Sequence, residues 1–366
     1  LRARADALAE EVVAHCTALS EKMDWSALLD AQLSMHPTAV FAQEDFATAC
    51  LIALGLERET TGWRISRFNT RNRRSLRLCR RVSEDSRSKG VETYCVLSAM
   101  DYNTARAAGR LAAGAGVKNA AVGIAGITRD NTATDFYVIG RASFKLHRPV
   151  PRRYVRLAQI LSGLADGFNE KPRTISSFHC LGLGAPTMFP IAAGALSPDV
   201  FLTTDATSPI HDAVRDHVMY DITADGDRKS MEEIVKAIMG GGDWPFLSPF
   251  SQTFRERFGH DPERARHWWR EHQTPPISDA LLETPSALTE ALPLFCEADA
   301  QIKRKASKTH IAHNHWVLDR LCRLFPDGPA GKSAAMAAFE RWFQRPASVT
   351  TRGLHAGLQV MVRRAA

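Results

Sequence analysis

The densest concentration of chemistry lies in two neighbouring segments. They are Ser177-Phe-His-Cys-Leu-Gly-Leu-Gly-Ala-Pro186 and Asp199-Val-Phe-Leu-Thr-Thr-Asp-Ala-Thr-Ser-Pro-Ile-His-Asp-Ala213. Gly182 and Gly184 lack side chains, so a backbone there can approach a flat base or a sugar closely. Asp205, at the end of the next apolar run, carries a carboxylate that could attack an anomeric carbon. Such attack forms a covalent glycosyl intermediate and splits one hard displacement into two easier ones. Thr207, Ser208 and the turn at Pro209 could orient that carboxylate. The same residue also suits the N-cap of a helix beginning near Pro209. Residue types and spacing leave both roles open.

A second feature is electrostatic. Arg64, Arg67, Arg71, Arg73, Arg74, Arg77, Arg80 and Arg81 fall in a stretch without Asp or Glu, with Trp63 and Phe68 interleaved. Such a strip suits a phosphate backbone, with an aromatic ring available to stack on a base. A solvated helix face reads the same way. The whole chain has 47 Lys plus Arg against 40 Asp plus Glu, a net charge of +7. That balance leans weakly toward polyanionic partners.

The elements that must position these groups follow from periodicity. Leu8, Val12, Cys16, Leu19 and Met23 recur at helical spacing, and further helices are expected over Ser26–Leu33, ending before Pro37, and over Asp45–Leu56. From residue 92 strands alternate with helices. Strands are expected at Thr93–Met100, Asn119–Ile127, Phe136–Gly140, Ser176–Leu183 and Val200–Thr204. Helices are expected at Thr104–Ala115, Arg152–Leu164 and Pro186–Ala195. That alternation implies a parallel sheet, open or closed. Polar residues just past the strand ends are the default site candidates in such a sheet. Asp101, Gly140, Gly182, Gly184 and Asp205 all fall there. Residues 221–275 break the rhythm with Gly240–Gly242, Trp244, Trp268 and Trp269. They read either as a substrate lid or as an inserted, aromatic-packed helix. Residues 277–325 are expected to be helical, with a further helix at Lys332–Phe343 and a basic tail holding Arg363 and Arg364.

Other classes are disfavoured. Cysteines stand at 16, 50, 79, 95, 180, 296 and 322, with no C-x-x-C pair, so neither a disulfide framework nor a cysteine-rich zinc site is indicated. Reduced thiols and a cytoplasmic location are expected. No apolar run approaches the ~20 residues of a membrane helix, so no membrane partner is expected. Leu1–Lys22 has no signal-peptide pattern, and the first residue is Leu and not Met.

Ser177–Ala213 resembles the tRNA-guanine transglycosylase family, in which a strand ending in a G-x-G-x-P turn precedes a strand ending in a nucleophilic Asp. Val122-Gly-Ile-Ala-Gly126 resembles its G-I-A-Q-G strand end, and Tyr137-Val-Ile-Gly140 its Y-x-I-G-G strand. Asp101, after Val96–Met100, resembles the Asp that reads the base. Asp205-Ala-Thr-Ser-Pro209 is closer to the branch that inserts a 7-deazaguanine into DNA, because the tRNA enzymes carry a Pro-Thr-Arg turn there. The likeness covers about residues 92–218, with a weaker echo at His313-Asn314. There are departures. The family's three zinc thiolates have only Cys296 to answer them, so zinc is not expected, and His310, His313 and His315 read as ordinary polar or packing residues. Gly126 stands where the family has Gln, and Arg141 where it has the second Gly of I-G-G. The proton-transfer D-S-G-G-F turn has only a faint counterpart in Asp85-Ser86, and Asp101 could serve in its place.

The resemblance implies a (β/α)8 TIM-type barrel, here incomplete or degenerate, with helical N- and C-terminal additions. Early strands either precede the chain or are missing. Three regions are expected: a helical, Arg-rich 1–90; a barrel over 91–325 with an insertion at about 221–275; and a helical tail over 326–366. The implied function is base exchange in a nucleic acid, DNA favoured over tRNA, with Asp205 attacking C1′ and a free 7-deazaguanine such as preQ0 replacing guanine. Asp205 and Asp101 would be catalytic. Asp101, Gly126, Gly140, Arg141, Gly182 and Gly184 would bind the base, and Arg64, Arg67, Arg71, Arg73, Arg74 and Arg77 the phosphates. No cofactor is implied, and partner subunits stay open. The alternatives are a catalytically inactive nucleic-acid-binding relative and a tRNA-directed transglycosylase.

Overall fold

Short runs such as Tyr94–Leu97 and Ala120–Val122 are apolar on both faces, as strands covered on both sides must be, and Phe178–Leu181 departs from this only at His179. In the computed structural model of the chain they pair in one parallel sheet. The structure describes residues 2–42, 62–124, 127, 130–171, 175–183, 188–196, 199–205, 208–214, 218–220, 228–230, 311, 314–315 and 349–365. The described strands are β1 (Ala39–Phe41), β2 (Glu92–Leu97), β3 (Asn119–Gly123), β4 (Ala133–Ile139), β5 (Ala142–Pro151), β6 (Ser177–Leu181), β7 (Phe201–Asp205), β8 (Val218–Tyr220) and β9 (Arg228–Ser230). The main helices are α1 (Arg2–Lys22), α2 (Trp25–Leu33), α3 (Gly62–Glu84), α4 (Tyr102–Gly114), α5 (Arg152–Asn169), α6 (Phe189–Ala195), α7 (Ser208–Val214) and α8 (Val349–Ala365).

The sheet has the order β1-β2-β3-β6-β7, every pair parallel. Each strand of this sheet lies beside the next one that the chain contributes to it, the β4–β5 hairpin lying between β3 and β6 in sequence. Right-handed crossovers then put the helices on one face and curl the sheet. The result is a five-stranded half-barrel, a partial α/β barrel. Alternation sorts the side chains. Cys95, Leu97, Ala120, Val122, Phe178 and Cys180 face the helices and join the main core. Tyr94, Val96 and Ala121 pack on the concave face with Ala39, Phe41 and Leu181.

Two expectations change, and the helical C-terminal tail takes a packed position. Phe136–Gly140 is not part of the parallel sheet: β4 pairs antiparallel with β5 in a separate hairpin, closed by Gly140 and Arg141. The region read as wholly helical, residues 1–58, supplies the first strand of the sheet, β1. The boundary drawn at residue 90 is therefore bridged by hydrogen-bonded strands, with Ala42 N–H donating to the Tyr94 carbonyl at 3.0 Å. The basic C-terminal tail is the helix α8, whose Leu354, Leu358, Val360 and Met361 are buried and which packs against α5 and α6. Its Arg363 guanidinium lies 5.3 Å from the centre of the Phe144 ring. The helix expected at Asp45–Leu56, the insertion expected at about 221–275 apart from Arg228–Ser230, the helical region expected over 277–325 apart from residues 311, 314 and 315, and the helix expected at Lys332–Phe343 lie outside the described residues.

The outer edge of β1 is covered from within the chain. Gln32 on α2 accepts from the Phe41 N–H at 2.7 Å and donates to the Phe41 carbonyl at 3.1 Å. Among the described residues no helix is long and apolar enough to cross a membrane.

Helices α4 and α5 approach closely because both carry small residues at the contact. A Cβ on Gly167 would meet the Arg106 carbonyl, the Arg110 nitrogen at 2.7 Å and the Gly109 Cα at 2.8 Å, all main-chain atoms. Main-chain atoms cannot rotate aside, so the helices would have to separate. Gly167→Ala is expected to destabilise the fold by about 1–3 kcal/mol, against the usual gain in helix propensity from Gly to Ala. Urea unfolding measures this, and a stabilised variant would contradict the close packing.

Candidate active site at the carboxyl end of the sheet

In parallel sheets the strand carboxyl ends form a rim where loops from several strands converge. Asp205 is the last residue of β7, in register with Leu181 at the end of β6. The next residue, Gly182, has φ of +79°, a left-handed conformation that costs glycine little. That turn aims the Gly182 N–H at Asp205 Oδ1, which accepts it at 2.5 Å. Thr204 Oγ1 donates to the Leu183 carbonyl at 2.9 Å and ties the same turn to β7.

His179 completes the arrangement, and sequence reasoning passed over it. It lies two residues before Leu181 on the concave face, in register with Thr203. Its Nδ1 is 2.8 Å from Thr203 Oγ1, and its Nε2 stands 3.5 Å from Asp205 Oδ1. The latter is an electrostatic contact longer than a good hydrogen bond. The ring packs against Phe41 and Tyr94, with centroids at 4.8 Å and 6.1 Å. The Tyr94 hydroxyl is hydrogen-bonded to Ser177 Oγ. The His179 side chain is 9% exposed and that of Asp205 58%, so a buried base abuts an accessible acid.

Partial burial pushes the Asp205 carboxyl upward. Its contacts with the His179 ring and the Gly182 N–H outweigh that, and the group sits below the usual carboxylate range. It is therefore ionised at neutral pH, as a nucleophilic carboxylate must be. Cys180, buried on the opposite face of β6, has its thiol pushed far up, first by burial and then by the charge of Asp205. It is unsuited to nucleophilic work, since the thiolate is the reactive form.

Asp101 sits at the same rim, three strand spacings from Asp205. That is on the order of 14 Å along the sheet, which the curl shortens. Its side chain works as the N-cap of α4: Oδ1 accepts from the Thr104 N–H at 2.9 Å and from Thr104 Oγ1 at 2.8 Å. The capping box is reciprocal, because Thr104 Oγ1 also accepts from the Asp101 N–H. Helix capping, the alternative weighed for Asp205, is thus what Asp101 does. Asp205, in contrast, turns to the end of β6. Gly140, with φ of +63°, and the exposed Arg141 form the hairpin turn. Asn103 on α4 donates to the Gly140 carbonyl at 3.2 Å, which holds the hairpin tip beside the Asp101 cap. Gly126 and Gly184 lie outside the described residues, as does Thr207. Asp85 is held down to about 2 by hydrogen bonds from the Arg87 side chain and backbone, which makes it a poor proton acceptor at neutral pH.

The arginine strip divides along α3. Asn72 exchanges hydrogen bonds with Ser98, just past the end of β2, so this part of the helix lies level with the rim. Arg73 and Arg77 are exposed on one stripe, and Arg71 and Arg74 are half-buried. The side chains of Arg64 and Arg67, like that of Trp63, lie outside what is described. Farther along, Arg80 pairs with Glu84 at 2.8 Å and the Arg81 guanidinium lies 5.0 Å from the centre of the Trp25 ring. Phe68, considered as a base-stacking ring, is 5% exposed and belongs to the interior. The helix periodicity turns it inward with Asn72 and Val82.

Among the described residues no group of three His, Cys, Asp or Glu is placed to hold a metal ion. Cys296, His310 and His313 lie outside them. Asn314 is buried and clamps β8, accepting from the Tyr220 N–H at 2.9 Å and donating to the Val218 carbonyl at 3.1 Å. His315 beside it is exposed.

No family model matches the chain, and no curated protein matches it in sequence.

Proposed function

We propose that the chain is a glycosyl-transferring enzyme that exchanges guanine in a nucleic acid, DNA in preference to tRNA, for a free 7-deazaguanine base such as preQ0. The observation that carries this reading is Asp205. It is an accessible, ionised carboxylate at a strand carboxyl end, oriented by a glycine N–H from the neighbouring strand. The motif order in Val122–Gly126, Tyr137–Gly140, Ser177–Pro186 and Asp199–Asp205, similar to that of the tRNA-guanine transglycosylases, supplies the substrate class. The five parallel strands are read as part of a (β/α)8 barrel of that type, and the reaction is placed in the cytoplasm.

In the proposed mechanism one Asp205 carboxylate oxygen bonds to C1′ as the C1′–N9 bond breaks. The electron pair leaves with guanine, which takes a proton from water. The incoming base gives its N9 proton to the hydroxide left by that water, N9 bonds to C1′, and the C1′–O bond breaks to release the Asp205 carboxylate. The target nucleotide must leave the duplex stack for C1′ to be reached. The Gly140 and Gly182 backbones border the base site and Arg73 and Arg77 face phosphates. Asp101 stabilises the rim through its helix cap and presents its carboxyl to the base edge.

A second reading, a nucleic-acid-binding protein without catalysis, is favoured by one observation: Asp101 is engaged by Thr104 through two hydrogen bonds. Incubation of the protein and radiolabelled preQ0 with duplex DNA or with tRNA separates the cases. Label is expected in DNA. Label in tRNA alone assigns the tRNA-directed reaction, whose protein must contact the 2′-hydroxyl. Salt-sensitive binding with no label in either leaves the binding protein.

A further inference from the structure

We propose that His179 is a positioning residue for Asp205: anchored by Thr203, the buried imidazole holds carboxylate Oδ1 and leaves the other oxygen to face a substrate. The inference rests on the reading of Asp205 as nucleophile.

A buried polar atom without a hydrogen bond calls for an explanation. Among the described residues His179 Nε2 is such an atom, and the group it faces is Asp205 Oδ1 at 3.5 Å. The ring cannot swing away. Phe41 and Tyr94 pack on it, and Thr203 Oγ1 holds the far nitrogen at 2.8 Å. When the Thr203 hydroxyl donates to Nδ1, the neutral ring carries its proton on Nε2, directed at Asp205, since the partner of one ring nitrogen sets the state of the other. The Gly182 N–H reaches the same oxygen at 2.5 Å. Two donors converging on Oδ1 fix the rotation of the carboxyl group. A fixed attack angle is where much of the advantage of a bound nucleophile lies. Catalytic contacts also commonly tighten from apo distances once substrate is bound.

Among the described residues the titratable surroundings are few. Across the concave face the ring meets Asp205 and the Tyr94 phenol, the latter bonded to Ser177. The Cys180 thiol lies on the other side of β6, where it feels the Asp205 charge. Its register partner on β3 is Ala121 and from β1 the Phe41 ring packs on it; neither titrates.

Two measurements on the full chain test this. One is the pH titration of the Asp205 carboxyl by carbon-13 NMR, assigned with Asp205→Asn, which needs no turnover. The other is preQ0 incorporation as a function of pH. His179→Phe keeps the packed ring and removes both nitrogens. It is expected to move the Asp205 titration and the acid limb of the rate to higher pH. It should also lower kcat on the order of a hundredfold, as misplacing a reacting group does, with KM little changed. His179→Gln, whose amide can reach Oδ1, is expected to recover most of that rate. Should His179→Phe lose its native circular dichroism, Thr203→Val removes the anchor while keeping the histidine, and the same upward shift is expected. A folded variant that titrates and turns over as the wild type does overturns the assignment. Wild-type protein without incorporation, but with an Asp205 titration that depends on His179, overturns the glycosyl-exchange reading and supports the coupling itself.

Discussion

Asp205→Asn is expected to lower base incorporation by a factor on the order of 10⁴ or more, comparable to removal of other catalytic carboxylates and nucleophiles. The argument is one of chemistry and not of folding. The amide oxygen of Asn can still accept the Gly182 N–H, so the turn after β6 keeps its partner. What is lost is the negative charge that bonds to C1′. Nucleic-acid affinity, carried by phosphate contacts, is expected to survive. Filter binding at fixed salt measures the second quantity and radiolabel incorporation the first. Full incorporation by the Asn variant would end the assignment. The pH dependence has a definite sign. Because its contacts hold the Asp205 carboxyl below the usual range, activity should persist below the pH at which an ordinary aspartate is half protonated. It should fall only as the pH passes the lowered folded value. The same group's contribution to stability is present above its unfolded value and is lost in that same acid window.

The second large effect is on stability. Arg156 on α5 and Asp130 in the loop after β3 form a salt bridge of 3.1 Å with side chains only 8% and 3% exposed. Asp130 also accepts from the Thr132 N–H at 3.1 Å, and its carbonyl accepts from the Arg153 N–H at 3.1 Å. The pair thus fastens the loop leading into the hairpin to the start of α5. Arg156→Leu would leave a carboxylate buried without its cation, a defect of about 3–5 kcal/mol. That is a large share of the stability of an ordinary domain. Adding Asp130→Leu to it is expected to restore much of the loss, since an apolar pair can replace a buried ionic one. Urea denaturation of the two variants compares them. If the single variant is as stable as wild type, the pair is not the fastening described.

The elements that frame the site were legible because each carries a strong local signal. Asp101, Thr104 and the alanine-rich run after them announce α4. The apolar runs ending at Leu97, Leu181 and Asp205 announce β2, β6 and β7. Other features are set by pairing, which a linear reading does not contain. β1 has three residues, too few to show alternation, and exists because β2 hydrogen-bonds to it. Phe136–Gly140 carries the same apolar pattern whether its partner is parallel or antiparallel. The informative signal was downstream, where Phe144, Leu146 and Val150 turn inward between Lys145, His147 and Arg148. His179 escaped notice for the same reason. It lies 26 residues from Asp205 along the chain, and only the registry of β6 with β7 brings it to the acid. A polar residue in an otherwise apolar strand, three positions before a rim glycine, was the available clue.

Gln32 has a bearing on how far the half-barrel extends. Its carboxamide supplies the Phe41 backbone with the donor and acceptor that a neighbouring strand would supply. The sheet thus carries its own end-stop: no further strand can zip onto Phe41 while that side chain is in place, whether from this chain or another copy. Among the described strands, the margin without such a plug is β7, the far strand of the sheet, on which Phe201 is exposed.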